Sequence, residues 1–392
     1  MNQKLFILLI FAISLGFYAC GTDKKETTWE ENAIETASYQ MKMMAESIAD
    51  SAKMPRSIKN GEVRLEGIHD WTSGFFPGSL WYLYELTNDE YFKNEAQKYT
   101  NLLNDLRYYK DTHDLGFMIF CSYGNDYRIT GDTAAIPVMV ETADNLIGRF
   151  NENTQTIRSW DFGDWQYPVI IDNMMNLELL FWASEETNDP KYKDVAIRHA
   201  NTTMEHHYRD DFSSFHLVDY DTISGDVILK ATHQGYSDDS AWARGQAWGL
   251  YGYVVMYRFT KDQKYLDFAN NIASFIMDNV KTEDLIPYWD YNAPNIPDAP
   301  RDASAASITA SAFLELSTYD AAKKEAYFNY AETILKNLSS DKYLAAKGDN
   351  LGFILKHSVG HLPANSEIDT PLNYADYYYL ETLKRYLNYN QK

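Results

Sequence analysis

Cysteine is nearly absent from this chain: 2 of 392 residues, Cys20 and Cys121. With Cys20 committed to an N-terminal role, no intrachain disulfide can form, and the core alone must hold the fold. A chain of this length with 45% hydrophobic residues is long enough for that. Positive charge is also scarce, with 35 Lys and Arg against 56 Asp and Glu and a formal net charge of −21. That balance argues against nucleic acid and anionic membrane surfaces as partners. It also weighs against an anionic substrate unless cations are gathered in a pocket. No glycine-rich phosphate loop follows a strand and no Gly-x-Ser-x-Gly elbow occurs, so nucleotide and acyl-serine chemistry lack support. The histidines are few and show no metal-ligand spacing. His206 and His207 are adjacent rather than four apart on a helix, so neither a catalytic metal nor a cofactor is expected.

Long apolar runs are missing too, apart from one at the start. Met-Asn-Gln-Lys forms a short basic region and Leu5 to Phe17 is apolar, too short for a permanent span and suited to a secretory signal. Tyr18-Ala19-Cys20 follows, and a cysteine after a small residue here looks like a bacterial lipoprotein processing site, relaxed by Phe17 in place of the usual leucine. Residues 1–19 are read as signal, Cys20 as the lipidated N-terminus, 20–33 as a polar tether and 34–392 as one domain. Ordinary signal cleavage nearby is the alternative. A lipid anchor places the protein in the periplasm or at the outer membrane, as a monomer or weak dimer.

What the chain does have is a rhythm. A turn containing aspartate opens an apolar helix, a short polar loop follows, and an amphipathic helix comes next. The opening aspartates are Asp70, Asp114, Asp172, Asp239, Asp302 and Asp369, spaced by 44, 58, 67, 63 and 67 residues. The loops rhyme as well: Thr87-Asn88-Asp89, Thr187-Asn188-Asp189, Thr260-Lys261-Asp262 and Thr130-Gly131-Asp132 each stop one helix and cap the next. Leu177–Ala183 and Leu250–Tyr257 are apolar nearly all round and belong to an inner layer. The helix from Tyr265 carries Tyr265, Phe268, Ala269, Ile272, Phe275 and Ile276 on one face and belongs outside. Six such hairpins closing on themselves make an all-α (α/α)6 barrel, with an open solenoid as the alternative. Residues 215–220 and 227–232 are read as a short β-hairpin.

Aromatic residues make up 15% of the chain, which suits sugar stacking and an aromatic core equally. The most informative stretch is Asp238-Asp239-Ser240-Ala241-Trp242-Ala243-Arg244-Gly245-Gln246-Ala247-Trp248. Two tryptophans beside a planar cation fit a sugar ring bearing a carboxylate; a core helix with one buried, paired arginine is the competing reading. Among the aspartates, Asp70, Asp302 and Asp369 are left as helix caps. Asp172 sits among Ile170, Ile171, Met174 and Met175, an apolar setting that raises a carboxyl pKa and keeps a proton available. Asp114 follows His113 in an opening with little else to do. Two carboxyls across one cavity are the minimum for glycoside chemistry.

These segments together resemble the unsaturated glucuronyl hydrolases, glycoside hydrolase family 88. The resemblance is carried by Trp71–Gly78, His113–Phe117, Ile171–Asn176, Ser240–Gly249, Asn365–Asp369 and Tyr374–Tyr378. It implies an (α/α)6 barrel that removes a Δ4,5-unsaturated uronic acid from oligosaccharides made by polysaccharide lyases. It implies Asp172 as general acid and base and Asp114 as the second essential aspartate. It further implies Trp71, His113, Trp160, His216, Gln234, Trp242, Arg244 and Trp248 as ligands of the unsaturated sugar. A hydrolase for unsaturated rhamnogalacturonan, a conventional inverting glycosidase and a non-catalytic glycan-binding lipoprotein are the alternatives.

Overall fold

The computed structural model describes residues 27–390; the signal segment and Cys20 lie outside them. Helix α1 (Trp29–Ser47) comes first. Its start corrects the tether boundary: Thr28 and Glu31 form a capping box, Trp29 packs on Tyr386 at 5.4 Å, and Ala33 is fully buried. The acidic residues that read as linker are the first turn of a helix, where negative charge favours the N-terminal dipole.

A β-hairpin, β1 (Met54–Lys59) and β2 (Glu62–Glu66), leads into five helical pairs. These are α2 (Phe75–Thr87) with α3 (Glu90–Leu102), then α4 (Asn125–Thr130) with α5 (Ala135–Ile147). They continue with α6 (Leu177–Thr187) and α7 (Pro190–His206), α8 (Ala243–Thr260) and α9 (Gln263–Asn279), and α10 (Ala303–Leu316) and α11 (Lys324–Leu338). Helix α12 (Asn373–Asn390) ends the described chain. The even-numbered helices, with the π-helical stretch Gly116–Gly124 between α2 and α6, form a closed ring, α12 packing back on α2, and odd-numbered helices lie outside it. The architecture is an (α/α)6 barrel. Its sixth inner helix, α12, has no outer partner after it; α1 packs against α2 and reaches α12 through Trp29, so the first helix closes the outer ring.

The loop chemistry accounts for the repeat. Asn88, Asn188, Lys261 and Gly131 each take the left-handed conformation that ends an inner helix. Asp89, Asp189 and Asp262 then accept the second backbone N–H of the following helix. Helix α10 is built largely of Ala and Ser, which lets α8 and α12 approach it from both sides. The second opening departs from the simple pattern, since Gly116–Gly124 is π-helical before α4 begins.

Outside the ring, β3 (Phe150–Asn151) pairs with β4 (Thr156–Ile157). A three-stranded antiparallel sheet joins β5 (Pro168–Ile170), β6 (Leu217–Tyr220) and β7 (Val227–Ala231) in that order. Leu217 pairs with Ala231 across the expected hairpin, and β5 delivers the chain directly into the turn that carries Asp172.

Candidate active site

Asp114 and Asp172 both sit where inner helices begin. Asp172 lies in a 3-10 turn, Ile171–Asn176, between β5 and α6. Asp114 lies two residues ahead of the π-helical stretch that begins at Gly116. The two turns abut because Gly116 has no side chain: a Cβ there would stand 2.6 Å from the Asn176 Cα. Asn176 Oδ1 completes the junction by accepting the Phe117 N–H at 2.9 Å.

Burial pushes the Asp172 carboxyl up to about 7, and the nearby Asp114 pushes the same way; Arg244 and the Trp248 indole N–H oppose it. Burial pushes Asp114 up to about 7 as well, with Asp70 adding and Thr112 and Arg149 opposing. Thr112 donates to Asp114 Oδ2 at 2.9 Å, and His113 Nε2 lies 3.2 Å from Oδ1. Asp172 Oδ2 has no hydrogen-bond partner and lies 3.6 Å from His216 Nε2. His113 and His216 are both buried, which holds each imidazole well below its ordinary pKa and therefore neutral.

Around this pair the polar ends of buried side chains stand open. The indole N–H of Trp160, the Tyr374 hydroxyl and His113 Nδ1 lack protein partners. Such groups belong where a polar ligand or water completes them. Trp160 stacks on Phe162 at 4.9 Å and meets the His233 ring at 5.3 Å; His361 lies 4.6 Å beyond. Trp71 packs against Phe117 and Tyr374 on the other side. Gln234 is tied by its side chain to the Gly360 carbonyl at 3.3 Å, and its backbone N–H reaches His216.

Arg244 departs from the free clamp expected of it. Its side chain is buried, paired to Asp302 Oδ2 at 3.1 Å, and donates to the carbonyls of Val359 and Gly360. It lies under Trp242 at 4.4 Å and against Tyr374 at 5.2 Å; Trp248 packs on Phe117 and Tyr378. A guanidinium this deep needs an anion beside it, and Asp302 supplies it while also capping α10 through the Ser304 N–H. The competing reading of a buried, paired arginine describes its contacts, and its charge acts on Asp172 through space.

Sequence reasoning did not assign Tyr374, Phe162, His361 or the ion-pair role of Asp302. Tyr374 stood within a quoted motif; Asp302 lies 58 residues from its arginine with no local signal of the pairing. Asp239, the fourth opening aspartate, is exposed, and buried Asp290 instead binds the Tyr236 N–H and the Ser240 hydroxyl. Asp369 caps nothing; it pairs with His357.

A cavity of about 1140 Å³ opens at the opposite barrel end and is lined by Glu178, Arg258, Glu315, Glu381 and Arg385, among others. Those charges pair with one another. Among the described residues no three His, Cys, Asp or Glu side chains converge to hold a metal ion.

The sequence pattern of Glycosyl Hydrolase Family 88 matches residues 40–390. The chain belongs to this family. It is 43% identical over 401 residues to an unsaturated glucuronyl hydrolase of Formosa agariphila, covering 99% of each chain. It is 33% identical to an unsaturated chondroitin disaccharide hydrolase of Streptococcus agalactiae, over 91% of each. Among solved family structures, an unsaturated glucuronyl hydrolase specific for heparin superposes with a TM-score of 0.91 at 54% identity, covering 93% of this chain and 98% of that one.

Proposed function

We propose that this chain removes a Δ4,5-unsaturated glucuronic acid from the non-reducing end of lyase-generated, glycosaminoglycan-derived oligosaccharides by hydrating the C4=C5 double bond. The observation that carries this reading is a buried aspartate, Asp172, held near neutral pKa beside a second such aspartate. Protonating an alkene carbon needs an acid that is neutral at rest. Asp172 gives its proton to C4, and water adds its oxygen to C5. The water's proton returns to the Asp172 carboxylate. The resulting C5 hemiketal opens to a ketone, C1 is left as a hemiacetal, and that hemiacetal expels the aglycone. Asp114 and His113 orient the sugar. Trp71, Trp160, Trp242 and Trp248 supply apolar walls, and His216 and Gln234 complete the polar lining. Arg244, with Asp302, sets a positive field beneath the sugar's carboxylate.

The conjugated alkene carboxylate absorbs in the ultraviolet, and hydration erases that absorbance. Incubation with lyase digests of heparin, chondroitin and hyaluronan is the test. The heparin digest is expected to react fastest, because the heparin-specific solved relative is the more similar at 54% identity. If all three digests, and gellan and ulvan digests as well, keep their absorbance, the assignment fails. Loss of saturated glycosides with the alkene signal untouched would indicate conventional displacement instead. We also propose that Cys20 carries a lipid that anchors the enzyme in the periplasm or at the outer membrane. Labelled fatty acid incorporated by the wild type and lost in Cys20→Ser checks this.

A further inference from the structure

The His216 ring stands immediately before β6, with its side chain 1% exposed. Its Nδ1 accepts two backbone hydrogen bonds, from the His233 N–H at 2.8 Å and the Gln234 N–H at 3.2 Å. A backbone amide can only donate, so Nδ1 is the bare nitrogen. The ring is neutral, held so by burial and by neighbouring His233, His361, Arg244 and His207. A neutral imidazole with a bare Nδ1 carries its hydrogen on Nε2. That Nε2 faces Asp172 Oδ2 at 3.6 Å, just beyond hydrogen-bond length, and neither atom has a hydrogen-bond partner. The strand keeps the ring in place, because the Ile171 N–H, next to Asp172, donates to the His216 carbonyl at 3.0 Å.

We propose that His216 acts on Asp172: locked in the Nε2–H tautomer by the His233–Gln234 backbone, it holds the transferable proton on Oδ1 and stabilises the carboxylate left after that proton departs. Oδ2 faces the Nε2–H at 3.6 Å, which disfavours a hydrogen on that oxygen. The proton sits on Oδ1, and once it moves to C4 the new charge on the carboxylate meets an N–H already in place. His216 itself never takes up the proton, since Nδ1 is occupied and Nε2 is already protonated. It is a positioning residue whose effect runs through Asp172. The other groups bearing on that carboxyl are Arg244, Asp114, the Trp248 indole N–H and the backbone N–H of Asp172 itself.

The consequence for the reaction rests on Asp172 being the acid; the tautomer lock does not. Two variants test the first. His216→Leu removes the donor, so the Asp172 anion is less favoured. The alkaline limb of kcat should move to higher pH by about one unit, and kcat below the limb should fall about tenfold. KM should change less than kcat, since the N–H that is lost faces Asp172. His216→Gln restores a side-chain N–H and should bring the limb most of the way back. A rise in KM with the limb unmoved in both variants would make His216 a sugar ligand only and overturn the proposal. Nitrogen-15 NMR of histidine-labelled enzyme tests the second part without substrate. The signals lost in His216→Gln identify the residue, and they should show a protonated Nε2 and bare Nδ1 from pH 5 to 8. A protonated Nδ1, or a ring that titrates in that range, overturns the lock. Should His216→Leu fail to fold, His216→Gln and the spectrum decide. The predicted nitrogen pattern in a protein that leaves every lyase digest untouched would sink the functional reading and leave the lock standing.

Discussion

At the scale of the residue, the chemistry narrows to one proton. Asp172→Asn keeps the shape of the turn and removes the acid. Turnover should fall by at least a hundredfold, within the range set by general acid catalysis of about 10²–10⁴, while binding of the unsaturated disaccharide persists by calorimetry. A variant with more than about a tenth of the wild-type rate would remove Asp172 from the acid role. The pH profile follows from the same group. The acid form is required and its carboxyl is raised to about 7, so kcat should be level below that pH and fall about tenfold per unit above it. Because Asp114 is raised to about 7 beside it, the observed limb belongs to the pair. A rate that climbs above pH 8 would contradict this. Asp172 could be picked out from the sequence because Ile170, Ile171, Met174 and Met175 surround it in the chain itself. Burial alone was not a sufficient guide. Asp376 is also raised to about 7, yet its carboxylate accepts the N–H groups of Ile354 and Leu355 and faces no histidine.

At the scale of the element, the site depends on two turns meeting. Gly116→Ala places a methyl 2.6 Å from the Asn176 Cα and 2.7 Å from its Oδ1, and backbone cannot swing aside. The turns bearing Asp114 and Asp172 must then separate. A displacement near 1 Å is expected to lower kcat about 10²-fold, with about 1–3 kcal/mol lost from stability. A wild-type rate in a folded Gly116→Ala would show that the junction does not set the geometry. The pin between α8 and α10 behaves differently. Arg244→Met strands Asp302 in the core, and about 3–5 kcal/mol should be lost in denaturant unfolding. Adding Asp302→Asn should recover part of it, since asparagine still caps α10. Equal losses in the single and double variants would argue against the pairing. The hinges between inner and outer helices were readable because Asn and Asp act locally, one ending a helix and the next capping another. The π-helical second opening and the role of Asp302 were not, because both are settled by contacts with distant segments.

At the scale of the whole molecule, the barrel count was readable from six spaced aspartates, but its closure was not. The sixth outer position is filled from the other end of the sequence, by a helix whose charged first turn resembles a linker. Gln40 shows how firmly it docks, with its side chain bonded to the carbonyls of Asp349 and Phe353 and to the N–H of Gly348. Net charge acts at this scale too. A chain at −21 repels an anionic oligosaccharide throughout its approach, while the cations that favour it lie buried or paired near the site: Arg244 with Asp302, Arg56 with Asp70 and Glu367. Paired cations have little reach, so the far field is that of the acidic surface. Salt screens that field over about 10 Å at 0.1 M. Raising ionic strength from about 10 mM to about 150 mM should therefore increase kcat/KM for a lyase-derived disaccharide by a few-fold. Turnover at saturation should hardly change, because the repulsion acts on encounter and not on the proton transfer. A kcat/KM that falls with salt would mean that cations at the mouth, not the acidic surface, govern capture.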